Sequence, residues 1–237
     1  MLLLLSLLGL VAGVLTTLAG MGGGLMLLAV LTVMRGPHLA LALSSPALFV
    51  SNSHRAYLFR NDIDRRLVLL IGLGALPGAL LGGLVLPTIP DAIVTALLVA
   101  TTVFAVLRAK GYIQIKPRAK SLAMAGAGVG ALSATSGGAG MLLGPILMSA
   151  GLTGAALVAT IAACAATMHI GRVAGYFVSG LLTFEAAPGV LALLVGLVGG
   201  NLAGRRLRSI IPDGTEQKME LFALVASTGF ALIGLVR

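Results

Sequence analysis

The chain alternates long apolar runs with short polar or basic joints. Stretches free of Lys, Arg, Asp and Glu extend over Leu2 to Met34, Leu39 to His54, Leu67 to Leu86, Ala92 to Leu107, a long segment from Ser121, Ala186 to Gly204 and Leu221 to Val236. The long segment reaches Gly171, 51 residues without a charge. As one helix at about 1.5 Å per residue it would measure roughly 75 Å against a hydrocarbon core of about 30 Å, so it must cross or enter a bilayer more than once. The pattern predicts helices throughout. Gly36-Pro37, Pro87 to Asp91, Lys116 to Arg118 and Ile211 to Gly214 mark their ends, because proline disfavours helix in the residue before it.

Two runs carry a glycine cluster in their interior: Ala19-Gly20-Met21-Gly22-Gly23-Gly24 and Thr135-Ser136-Gly137-Gly138-Ala139-Gly140. Clustered glycines weaken a continuous helix by about 1 kcal/mol each, so the break belongs there. The first run is 33 residues long. As a helix of about 50 Å it is long for one crossing and short for two, and a re-entrant helical hairpin fits. The two halves also share an order of motifs. Gly22 to Leu31 aligns with Gly138 to Leu147, Gly74, Gly78 and Gly82 with Gly196, Gly200 and Gly204, and an Ile-Pro-Asp follows in each, ending at Asp91 and Asp213. This predicts an internal duplication, a first membrane repeat over 1–108, a basic linker over 109–120 and a second repeat over 121–237. The glycines spaced by four form grooves for close helix packing within or between chains, so an oligomer is compatible with the sequence.

Charge fixes an orientation. With Arg55 and Arg172 set aside as intramembrane, full crossing of every segment divides the remaining basic residues nine to five, whereas two re-entrant hairpins divide them twelve to two. Since Lys and Arg stay cytoplasmic, the second arrangement puts the central linker inside and both termini outside an inner (plasma) membrane. Each half then has one broken hairpin and three crossings, an odd number, and the repeats are inverted. The expected class is all-α, a polytopic helical membrane protein.

Composition narrows the function classes. The 237 residues are 58% hydrophobic and 10% charged, with a mean hydropathy of +1.09. The net charge of +9 falls in loops and reads as topology, not as a nucleic-acid surface. The single cysteine, Cys164, excludes an intramolecular disulfide and a Cys metal cluster. No hydrolase elbow, His-Glu-x-x-His pair or clustered metal ligands occur. No enzyme, cofactor or metal is therefore expected. Apolar sequence continues from Met1 to Met34 without a basic start, so a cleaved signal peptide is not expected. Asp91, Asp213 and Glu185 stand where helices begin and read as caps.

In a re-entrant hairpin the second short helix begins at the tip. Gly22, Gly23 and Gly24, and Ser136, Gly137, Gly138 and Gly140, then present free backbone N–H groups near mid-membrane, an anion site. The alternative is that these glycines only pack tightly at a kink. The crossing after each hairpin is the most polar of its half, and it offers Ser44, Ser45, Asn52 and Thr160 as lining residues. Arg55 lies 17 residues after His38 and Arg172 lies 18 after Gly154, comparable depths from opposite faces. A charge in hydrocarbon is costly, so both belong in a cavity or at a snorkelling helix end. With His54 and His169 they are candidates for gating and substrate guidance, and the histidines leave protons open as a coupling ion.

These residues resemble the TauE/SafE sulfite exporter family, also called the toluene sulfonate uptake permeases. The resemblance rests on Ala19 to Leu25, Leu39 to Ser45 and Asn61-Asp62-Ile63-Asp64, with second copies at Gly137 to Leu147, Gly151 and Ala155 to Thr160. A family proline after the glycine cluster is matched by Pro145, whereas the first half has Ala29. The resemblance implies a permease or exporter for small sulfur-containing anions, such as sulfite or organosulfonates. Substrate, direction and coupling stay open within it. The leading expectation is a secondary transporter alternating access around a midplane anion site. An anion channel using the same helix starts is the alternative.

Overall fold

The computed structural model describes residues 1–19, 22–112, 122–208, 210–212 and 215–236, the side chains of 19, 216 and 217 apart. Most of the basic linker, Asp213 and Arg237 lie outside the described residues. Every described element is helical: α1 (Leu2–Ala19), α2 (Gly23–Arg35), α3 (Pro37–Leu58), α4 (Arg65–Val85), α5 (Asp91–Ala109), α6 (Leu122–Ser136), α7 (Ala139–Ser149), α8 (Gly154–Val178), α9 (Ala187–Arg208) and α10 (Thr215–Val236). Short 3-10 turns sit at Arg60–Asp62, Leu86–Thr88 and Phe184–Ala186.

Both glycine clusters break their runs. Gly22, with φ 95°, precedes α2, and Gly137 and Gly138, with φ 74° and 73°, separate α6 from α7. The left-handed region is open to glycine at little cost, which is why the breaks fall there. The resulting helices are short for a bilayer: 13 residues in α2, 15 in α6 and 11 in α7, about 17 to 23 Å at 1.5 Å per residue. By contrast, five segments are long and apolar enough to cross a membrane, centred on α4, α5, α8, α9 and α10. Helix α3 has the length, 22 residues, but is too polar to count with them. Its Ser44, Ser45, Ser51, Asn52 and Arg55 are buried inside the protein, and Pro46 removes one N–H from its ladder.

Glycine grooves hold the bundle. A Cβ on Gly13 of α1 would lie 2.5 Å from the Leu197 carbonyl and 3.0 Å from the Gly200 Cα of α9. One on Gly78 of α4 would lie 2.8 Å from the Ala127 carbonyl carbon of α6, and one on Gly82 would lie 2.7 Å from the Ala131 oxygen. Lipid tails are as apolar as the helices, so close backbone approach and its dispersion energy must hold such pairs. The contacts climb together along each pair. Gly9 meets Leu193 and Leu197 while Gly13 meets Leu197 and Asn201, and Gly74 meets Ala123 while Gly82 meets Ala134. Helices α1 and α9 therefore run parallel, and so do α4 and α6.

Two helix starts differ from the expected caps. Asp91 opens α5, but its carboxylate is bound by His38 Nδ1 instead of an amide of its own first turn, while His38 Nε2 donates to the Leu86 carbonyl at 3.0 Å. Glu185 lies in the turn before α9 and is exposed. The capping carboxylate is Asp64, which accepts from the Leu67 amide at 3.0 Å and starts α4.

Candidate functional site

The two hairpin turns converge. The α2 ladder begins with the Met26 amide donating to the Gly22 carbonyl, and the α7 ladder with Leu142 donating to Gly138. Neither helix has a side-chain cap at its start. The N–H groups of both first turns thus have no partner within their helices, and each start carries about half a positive charge from the helix dipole. Gly22 and Gly24 from one turn and Gly137, Gly138 and Gly140 from the other line a single cavity of about 50 Å³. Leu25 and Leu28 of α2 lie against the second turn: a Cβ on Gly138 would come within 3.0 Å of Leu25 Cδ2.

Helices α3 and α8 pack against each other and supply the rest of the wall: Ser44, Leu48, Ser51, Asn52 and Arg55 from α3, and Ala165, His169 and Arg172 from α8. The spacing is helical, 44, 48, 51, 52, 55 and 165, 169, 172, one face of each helix.

The arginines dominate the electrostatics. Arg55 is 2% exposed and Arg172 is 1% exposed. Arg55 donates to the Thr16 carbonyl near the end of α1 and to Asn52 Oδ1, both at 2.8 Å, while its Nε–H meets no acceptor. Arg172 Nε donates to the Tyr176 hydroxyl at 3.3 Å, and that hydroxyl donates to the Ala134 carbonyl near the end of α6. One Nη of Arg172 is unpartnered. In both halves, then, the guanidinium is fastened to the C-terminal end of the first hairpin helix, directly or through Tyr176. Such placement at a helix C-terminus contributes up to about 2 kcal/mol. Desolvation costs several kcal/mol per ion, and among the described residues neither arginine pairs with a carboxylate. The cavity holds an unbalanced positive charge. His169, itself 2% exposed with an unpartnered Nδ1, lies within electrostatic reach of both arginines.

Of the residues expected at the site, Gly22, Gly24, Ser44, Asn52, Arg55, Gly137, Gly138, Gly140, His169 and Arg172 line the cavity, and five others do not. Gly23 packs on α1, where an added Cβ would lie 2.8 Å from the Thr16 amide. Ser45 donates to the Leu41 carbonyl at 2.8 Å, and Ser136 donates to Leu132 at 2.8 Å while accepting from Thr101 at 3.0 Å. Thr160 accepts from the Asp64 amide at 3.0 Å, which joins α8 to the α3–α4 turn. His54 is half-buried on a neighbouring face of α3, within reach of Arg205.

Sequence reasoning passed over Thr16 and Ser51, which line the cavity, and Asn201, which positions Ser51. The Thr17 hydroxyl donates to Asn201 Oδ1 at 3.0 Å, so the amide nitrogen faces Ser51 and donates to its carbonyl at 3.1 Å and its hydroxyl at 3.0 Å. Ser51 Oγ therefore accepts from Asn201 and keeps its proton to donate. The signal for Ser51 was present in its helical spacing from Asn52, Arg55 and Ser44. Nothing local in the sequence marks Asn201.

A family model described as Sulfite exporter TauE/SafE matches residues 5–232. The family consists of membrane transporters, not enzymes. No curated protein and no solved structure matches the chain.

Proposed function

The chain belongs to the TauE/SafE family, and on that premise we propose that it is a secondary transporter moving small sulfur-containing anions, such as sulfite or organosulfonates, across the inner membrane. The observation that carries the reading is one cavity shared by two uncapped helix starts and two buried guanidiniums without a carboxylate partner. An anion supplies the missing counter-charge and accepts the free N–H groups. Access alternates around this site as the halves rock against each other.

An inverted pair of repeats supports that motion. With both hairpins re-entrant, α1 and α9 run inward together and α4 and α6 outward together, in keeping with the parallel glycine contacts of both pairs. Arg55 and Arg172 occupy matching places, each on the helix after its hairpin.

Reconstituted in liposomes, the protein is expected to show saturable uptake and exchange of sulfite, thiosulfate or a C2 sulfonate. The double change Arg55→Gln with Arg172→Gln should lower uptake by about 100-fold or more, since buried charge contacts amount to about 3–5 kcal/mol. Indifference to all of these anions would overturn the proposal. Orientation has its own test, because native Cys164 is fully buried and silent. Tyr112→Cys should react with a membrane-impermeant maleimide only from the cytoplasm and Glu185→Cys only from outside; full crossing by every segment puts both on one side.

A further inference from the structure

Resting on the anion reading above, we infer that the site is matched to compact divalent oxyanions of the sulfite, sulfate and thiosulfate kind, and selects against monovalent sulfonates.

Two guanidiniums, one from each half, line the cavity and are at most 2% exposed. No lining residue is acidic, and among the described residues no carboxylate pairs with either arginine. Asp64 of the α3–α4 turn is turned to the Leu67 amide and lies outside the wall. Ser44, Ser51 and Asn52 are neutral, and a proton on His169 would add to the excess. A monovalent anion leaves at least one buried positive charge uncompensated, whereas a divalent anion neutralises the pair. Buried charge left unpaired is the costly state, so the second unit of negative charge has a large effect on binding.

Donor placement and size agree. Arg55 Nε–H and one Arg172 Nη, contributed by different helices, each lack an acceptor, and the two glycine turns add amide donors from two further elements. A sulfate ion offers an oxygen at each of its four tetrahedral corners, and a pyramidal sulfite offers three oxygens and a bare sulfur lone pair, with no carbon substituent in the way. A sulfonate turns a carbon substituent toward one of these donors and strands it. The volume of about 50 Å³ compares with about 10–15 Å³ needed for a single water on the same measure. That admits a few non-hydrogen atoms and leaves out an aryl group.

Shape and charge separate in the test, because sulfate, methanesulfonate and perchlorate are all tetrahedral, sulfate being divalent and the other two monovalent. Uptake of labelled sulfite by the full chain in liposomes, in mildly alkaline buffer where sulfite is divalent, is competed with sulfate, thiosulfate, methanesulfonate, perchlorate and toluenesulfonate. Sulfate or thiosulfate is expected to compete at concentrations at least about tenfold below both monovalent ions, and toluenesulfonate should not compete. Arg172→Gln, measured by equilibrium competition, should bring the divalent-to-monovalent ratio down toward unity. Wild-type protein that binds methanesulfonate or perchlorate as well as the divalent ions overturns the inference while leaving an anion carrier standing. Protein that takes up none of these anions overturns the carrier reading itself. Should Arg172→Gln fail to fold, the wild-type series still decides.

Discussion

Replacing Gly138 by valine is expected to reduce anion uptake by about 100-fold or more while the protein remains folded. Gly138 sits at φ 73°, where a β-branched residue is a genuine outlier. The strain, about 1–2 kcal/mol, is small against a whole bundle. The steric effect falls on the site. A Cβ there would lie 2.9 Å from Thr101 Cγ2 and 3.0 Å from Leu25 Cδ2, both tighter than ordinary contact, and the valine methyls would enter a cavity of about 50 Å³. The start of α7 must then rotate, and its amides turn away from the cavity in which the anion is proposed to bind. Reorienting or screening these donors and blocking the volume act together, which is why the expected loss is large. Gly128 of α6 provides the control. A Cβ on it meets nothing within 4 Å, and Gly128→Ala should transport like the parent. The two variants are compared by uptake in liposomes and by size-exclusion profile. A monodisperse Gly138→Val protein with normal uptake would mean that the turn does not border the substrate.

The helix breaks were legible because glycine clusters leave a compositional mark that no packing is needed to interpret. Gly22, Gly137 and Gly138 stand at the breaks with positive φ, inside the clusters that the sequence singles out. The grooves at Gly74, Gly78, Gly82, Gly196, Gly200 and Gly204 were legible for the same reason, since a spacing of four defines one helix face whatever lies opposite. Helix phase was the weak point. The sequence shows that α3 and α8 are polar, but Ser45 and Thr160 look as suitable as Ser51 and His169 until one residue is anchored to the cavity. Arg55 and Arg172 supply that anchor: counting back by three, four and seven reaches Asn52, Ser51 and Leu48 on one helix and His169, Met168 and Ala165 on the other. All but Met168 line the cavity. Asn201 was beyond reach, because its role depends on Thr17 and Ser51, 184 and 150 residues away. Asp91 was misread for a related reason. A helix-start aspartate reads as a cap, and only the fold brings His38 to it from 53 residues away.

Gly78→Val should have the largest effect on stability. Here the obstacle is backbone: the new Cβ would fall 2.8 Å from the carbonyl carbon and 2.9 Å from the Cα of Ala127, and no rotamer change on α6 relieves it. The helices must part, and because Gly74 and Gly82 meet the α6 backbone while Gly126 and Gly130 of α6 meet that of α4, separation at one level loosens contacts along the whole pair. Overpacking of ordinary cores costs about 1–3 kcal/mol. A rigid groove in lipid, with dispersion as its main attraction, belongs at the upper end or beyond. At roughly 2–4 °C per kcal/mol for a chain of this size, melting in detergent should fall by about 10 °C. Gly199→Ala on α9, where a Cβ meets nothing within 4 Å, should hold or gain up to about 1 kcal/mol from helix propensity. The consequence reaches the site, because the Ala134 carbonyl near the end of α6 holds Tyr176 and, through it, Arg172. A melting temperature unchanged in Gly78→Val would place the α4 and α6 backbones out of contact. The second glycine turn would then have no fixed wall to hold it against Leu25, and the single cavity proposed to bind the anion would lose one of its two ends.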